Sequence, residues 1–147
     1  AILLKSFSRG IIKVNPSDPN GEPIFDYRLF SNPVDLKLHV RMQQYLRNHY
    51  ATSPVLASLK PVEIDPGTAF PSDLDIENWL IKQSEVLASN GHSVGTAAMM
   101  PRELGGVVDG ALRVYGTSGL SVADLSIVPL IPAAYTMTTA YAVGEKV

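Results

Sequence analysis

The chain has 147 residues, 46% hydrophobic and 18% charged, with a net charge of −2. That is enough sequence for one domain with a real core, and it excludes both a disordered acidic tail and a basic nucleic-acid binder. It has no cysteine, which excludes a disulfide framework, a thiolate metal site and a Cys nucleophile and leaves the compartment open.

In chain order, Gly10-Ile11-Ile12-Lys13-Val14 and Ile24-Phe25-Asp26-Tyr27-Arg28-Leu29 read as two antiparallel strands around the turn-rich loop "NPSDPNGEP". In "SNPVDLKLHVRMQQYLRNH", Asn32 is placed to cap a helix, with Pro33 at its first position and Asp35 in the first turn, where the helix dipole favours an acid. Val34, Leu38, Met42, Tyr45 and Leu46 fall at helical spacing and are expected to form its apolar face. His39 then lies on the polar side, and His49 near the C-terminus, where positive charge is favoured. An extended stretch at Pro61-Val62-Glu63-Ile64 ends at "DPG". A second helix starts at "SDLDIENWLIKQ", where Ser72 and Asp75 form a capping box and Ile76, Trp79 and Leu80 share a face.

Beyond Gly91, the short runs Val107-Val108, Leu112-Arg113-Val114-Tyr115 and Leu120-Ser121-Val122-Ala123 read as strands between glycine-containing turns. Thr138 to Val147 reads as a last helix. Strands that cluster without alternating with crossover helices favour an α+β fold over a parallel α/β fold. No internal repeat or low-complexity segment is present. The most apolar stretch, Leu120 to Ala134, is interrupted by Asp124, Pro129 and Pro132. It falls short of the roughly 20 apolar residues of a membrane span. The expectation is a soluble protein with neither a membrane nor a nucleic-acid partner.

The stretch "GHSVGTAAMMPRELGGVVDGALRVYGTSGLSVADLSIVPLIPAAYTMTTAYAVGEK", which begins at Gly91, contains H-x-V-G-T, M-x-P, V-V-D, L-R-V-Y-G, G-L-x-V-x-D-x-S-I-x-P and P-x-A in that order. This series closely resembles the C-terminal signature of the glucose-methanol-choline (GMC) oxidoreductases, flavoenzymes that include glucose oxidase, choline dehydrogenase and aryl-alcohol oxidase. The segment "SRGIIKVNPSDPNGEPIFDYRLFSNPVDLKLHV" resembles the start of the same region, so the likeness covers the whole chain.

The resemblance implies an antiparallel sheet with helices packed on it, a substrate-binding and catalytic domain over residues 1–119, and a strand-helix segment over 120–147 that completes an FAD domain. It also implies that His92 stands over the flavin as general base, taking the proton of an alcohol substrate while hydride passes to flavin N5. A histidine suits this task because its ordinary pKa is near neutral, and such proton transfer is typically worth about 10² to 10⁴ in rate. Tyr135 occupies the place of the second catalytic residue, usually His or Asn; a phenol donates a hydrogen bond but is a poor base. Asp124 and Leu125 match a segment that touches the cofactor's ribityl and pyrophosphate region, with Leu125 bulkier than the usual Ala. Thr136 and Met137 match the pair whose backbone amides lie near the pyrimidine end of the flavin. Ser121 replaces the family's usual Arg. The glycines flanking His92 suit a backbone close to a flat ring, and Met99 and Met100 are expected to fill gaps in the core.

No G-x-G-x-x-G sequence in a strand-turn-helix setting occurs in the chain. The expected partner is therefore an N-terminal FAD-binding polypeptide or domain, the chain being a fragment; the alternative is a stand-alone relative. The Ala at position 1 and the uncapped last helix favour the fragment. Three functions stay open: part of an FAD-dependent alcohol oxidoreductase, a non-redox lyase or cyclase relative, and a non-catalytic binding or assembly module. Val122, Ile127, Leu130 and Ile131, expected to be exposed, add self-association to the expectations.

Overall fold

The computed structural model describes residues 2–84 and 91–147. Its elements are strands β1 (Ile11–Lys13) and β2 (Ile24–Asp26), then helices α1 (Pro33–Thr52), α2 (Pro54–Ser58), α3 (Asp73–Gln83) and α4 (Met137–Lys146), with single 3-10 turns at Arg102–Leu104 and Leu125–Ile127. The fold is α+β, as expected. The chain forms two compact units, one from Ala1–Gly10 and Tyr27–Ala88, the other from Ile11–Asp26 and Ser89–Val147.

In the first unit α1 packs on α3. Asn32 caps α1 by accepting the Val34 N–H at 3.0 Å, and Pro33 stands where its missing N–H costs nothing. Ser72 and Asp75 form the expected capping box at α3, the Asp75 N–H donating to the Ser72 hydroxyl and the Ser72 N–H to the Asp75 carboxylate. The core is Leu36, Val40, Ile76 and Leu80, with Phe30 and Trp79 packed against it.

The buried face of α1 is therefore not the expected one. Val34, Leu38 and Tyr45 are exposed. Leu36 and Val40 instead meet Ile76 and Leu80 of α3, and the buried Asp35 carboxylate accepts the N–H groups of Phe7 and Ser8 at 2.7–3.1 Å, tying the start of α1 to the N-terminal segment. His39 departs from its polar-side expectation as well. It is half-buried, edge-on to Phe30 with ring centroids 5.5 Å apart, and burial holds its imidazole below the ordinary value. The extended stretch near Glu63 is tied to α1 by Arg47, whose guanidinium reaches the Glu63 carboxylate at 2.8 Å.

In the second unit β1 and β2 pair antiparallel, Ile12 opposite Phe25. The runs expected as strands make isolated bridges instead: Met99 with Val108, Val108 with Val114, and Arg113 with Ser121. Glycines and turns interrupt each run before a ladder can extend. Asp109 closes one such turn by accepting the N–H groups of Ala111 and Arg113. Val108 is fully buried and Ile127 nearly so, which corrects the expectation that Ile127 is exposed; Leu130 is exposed, and Val122 and Ile131 are half-buried. Met99 is exposed rather than gap-filling. Among the described residues no helix is long and apolar enough to cross a membrane.

Candidate active site

The two motif segments that carry the candidate residues are laddered together. The N–H groups of Gly95, Ala97 and Met99 donate to the carbonyls of Leu125, Ser126 and Ile127 at 3.3, 2.9 and 2.7 Å. This pairing sets the His92 loop beside the Asp124 turn. Gly95 has φ +86°, and a Cβ there would lie 3.1 Å from the Val128 carbonyl oxygen, so both conformation and space call for glycine. Gly91 also has a positive φ, +74°, but its missing Cβ faces nothing within 4 Å. Among the described residues, chain geometry explains both glycines.

His92 is half-buried. Its Nδ1 lies 3.0 Å from the Thr136 hydroxyl, and its ring lies 5.1 Å from that of Tyr135, tilted by 59°. The structure thus brings together His92, Tyr135 and Thr136, from places 44 residues apart in the chain. Tyr135 is 58% exposed, whereas Thr136 is buried. Thr136 precedes α4 in helical conformation and makes no side-chain cap, its hydroxyl being turned to His92 instead. Its carbonyl accepts the first bond of α4, from the Ala140 N–H at 2.9 Å. The N–H groups of Met137, Thr138 and Thr139 precede that bond and form the positive end of the helix. Met137 itself is exposed.

Asp124 caps the 3-10 turn Leu125–Ile127, accepting the Ser126 N–H at 2.7 Å. Hydrogen bonds from the Ser126 side chain and backbone hold its carboxyl below the ordinary value. The Asp124 carboxylate is thus committed to its own turn. An open concavity of about 490 Å³ lies over this turn, lined by Ile12 and Phe25 of the β1–β2 pair and by Thr96, Asp124, Leu125 and Ala140. Ser93, the neighbour of His92, reaches the same concavity. His92 and Tyr135 do not line it.

The model of the GMC oxidoreductase family matches residues 6–144. The chain belongs to this family. Among its relatives, the dehydrogenase xptC of Emericella nidulans is 42% identical over 97% of the chain and 22% of its own length. A solved fungal aryl-alcohol oxidase superposes with a TM-score of 0.83, 41% identical over 98% of the chain and 23% of its own. An FAD-dependent oxidoreductase from Chaetomium thermophilum superposes with a TM-score of 0.82, 34% identical over 97% of the chain and 24% of its own. The chain therefore spans about a fifth of the length of the curated relatives it matches.

The GMC signature points to the Thr136 backbone and carries no signal for its side chain, since no local pattern pairs a hydroxyl with a ring 44 residues away. The Asp124 turn did carry a local signal. In Asp124-Leu125-Ser126 an aspartate can accept the N–H two residues on, the usual geometry of an Asx turn.

Proposed function

We propose that this chain is the C-terminal part of an FAD-dependent oxidoreductase that oxidises a small-molecule alcohol, with His92 as its general base. The observation that carries this reading is the grouping of His92, Tyr135 and the start of α4 within one unit of a GMC-family chain. The remainder of the polypeptide, N-terminal to this region, would supply the dinucleotide-binding fold, and residues 120–147 would join it in completing the flavin domain. Exposed side chains such as Leu130, Met137 and Tyr141 would then be covered by that remainder, and the chain alone would self-associate.

The residues present fit a flavin at its edge. The first-turn N–H groups of α4, beginning at Met137, form an electropositive terminus beside Thr136 and suit a group that gains negative charge. Asp124 and Leu125 would contribute backbone and apolar contact, because the Asp124 carboxylate is engaged with Ser126. FAD, when bound, would supply the two-electron acceptor that oxidation of the alcohol needs. His92 would take the hydroxyl proton, so that the oxygen ends in a carbonyl. Tyr135, beside the ring, donates a hydrogen bond to the same oxygen and narrows the space around it.

The exposed phenol at Tyr135, where the family usually has His or Asn, favours a second reading: a non-redox relative in which His92 does acid-base work. Anaerobic addition of an alcohol to the flavin-loaded full-length protein separates the two. Bleaching of the flavin absorbance, lost in His92→Ala, supports the oxidoreductase. A His92→Ala protein that bleaches as fast as its parent ends the general-base assignment.

A further inference from the structure

We propose that Thr136 is the positioning residue of His92, its buried hydroxyl holding Nδ1 so that the proton is exchanged with substrate at Nε2. The inference deepens the reading of His92 as general base and rests on it. Thr136 is 2% exposed, and its hydroxyl lies 3.0 Å from Nδ1.

The residue stands where a helix cap would stand, yet it does not act as one. Capping threonines usually have extended backbone and accept an N–H of the first turn. Thr136 has φ −76° and ψ −8° and makes no such bond. Its hydroxyl is spent on the imidazole instead, while its carbonyl is anchored by Ala140 in the first turn of α4. The ring is thereby tied to a helix terminus rather than to a loop.

A hydroxyl suits this position because its oxygen accepts a hydrogen bond. A ring that takes a proton at Nε2 starts with its hydrogen on Nδ1, and Oγ1 accepts that Nδ1–H both before and after the transfer. A valine of the same shape cannot. The contact at the distal nitrogen thus selects which nitrogen meets the substrate, as the partner of a histidine generally does.

The test uses the full-length protein carrying ¹⁵N-labelled histidine, with the His92 ring signals assigned through His92→Gln. In Thr136→Val the His92 ring-nitrogen signals are expected to shift as the balance of tautomers changes. The kcat for alcohol oxidation is expected to fall about tenfold with KM within twofold, the loss of one positioning hydrogen bond. Thr136→Ser, which keeps the hydroxyl, restores both readouts. Ring signals unchanged in Thr136→Val overturn the proposal, and so does a Thr136→Ser protein that behaves like Thr136→Val. These signals report on the contact whether or not an alcohol is oxidised, whereas undiminished turnover in His92→Ala overturns the base assignment beneath it.

Discussion

The rings of His92 and Tyr135 lie 5.1 Å apart, and the tyrosine is 58% exposed. On the reading proposed above, a phenol so placed would act on a substrate approaching the imidazole, through its hydroxyl or through its bulk. Tyr135→Phe is expected to slow flavin reduction by no more than about tenfold, since it removes one neutral hydrogen bond and keeps the ring. Tyr135→His restores the residue usual in the family and is expected to raise the rate of alcohol oxidation. Anaerobic flavin-reduction kinetics on the full-length variants decide between these roles; an unchanged rate in Tyr135→His shows that the phenol does not limit the reaction.

Gly95 connects the His92 loop to the Leu125–Ile127 turn at φ +86°, with the Val128 carbonyl 3.1 Å from where a Cβ would sit. Gly95→Ala is expected to destabilise the protein by about 1–3 kcal/mol, from the left-handed backbone and the close carbonyl together. Urea unfolding measures this, and an alanine variant as stable as the parent would show that the ladder can shift without loss.

Asp35 is buried and holds two N–H groups of the N-terminal segment. Burial pushes its carboxyl up, but the Phe7 N–H and the Ser8 hydroxyl and N–H outweigh this, leaving it below the ordinary aspartate value of 3.8. The carboxylate is favoured in the folded state, so its contribution is complete above pH 3.8 and is lost as pH falls through the lower folded value. Asp35→Ala is expected to cost about 2–4 kcal/mol at neutral pH by orphaning both donors. Its deficit against the parent should shrink in acid, which chemical denaturation at a series of pH values would reveal.

Arg47 and Glu63 form a half-buried pair that binds the extended stretch to α1, with Gln43 also donating to the carboxylate. The Arg47 hydrogen bonds hold the Glu63 carboxyl below its ordinary value of 4.5. The pair therefore stabilises the fold above pH 4.5 and loses that effect as pH falls through the depressed value. Glu63→Gln is expected to cost about 1 kcal/mol at neutral pH. A double cycle with Arg47→Met, read by thermal unfolding, isolates the coupling; a coupling of zero would leave the pair without effect on stability.

The order of local elements was legible in the sequence because their signals are local. Asn32-Pro33 and Ser72 with Asp75 start helices through bonds between residues two or three apart. The turn-rich loop between Ile12 and Phe25 separated the paired strands. The motif series from His92 to Tyr135 identified the family without any knowledge of packing. What the sequence left open depended on contacts across long separations. Helical spacing marked Val34, Leu38 and Tyr45 as an apolar face, but the neighbours chose Leu36 and Val40, with the Asp35 carboxylate clamped on Phe7 and Ser8 beside them. Runs with strand-like alternation became single bridges, since a ladder needs an uninterrupted partner that the glycine turns remove. The hydroxyl of Thr136 on His92 was likewise settled only by the fold, because it joins residues 44 apart through one 3.0 Å contact for which adjacent residues carry no signal.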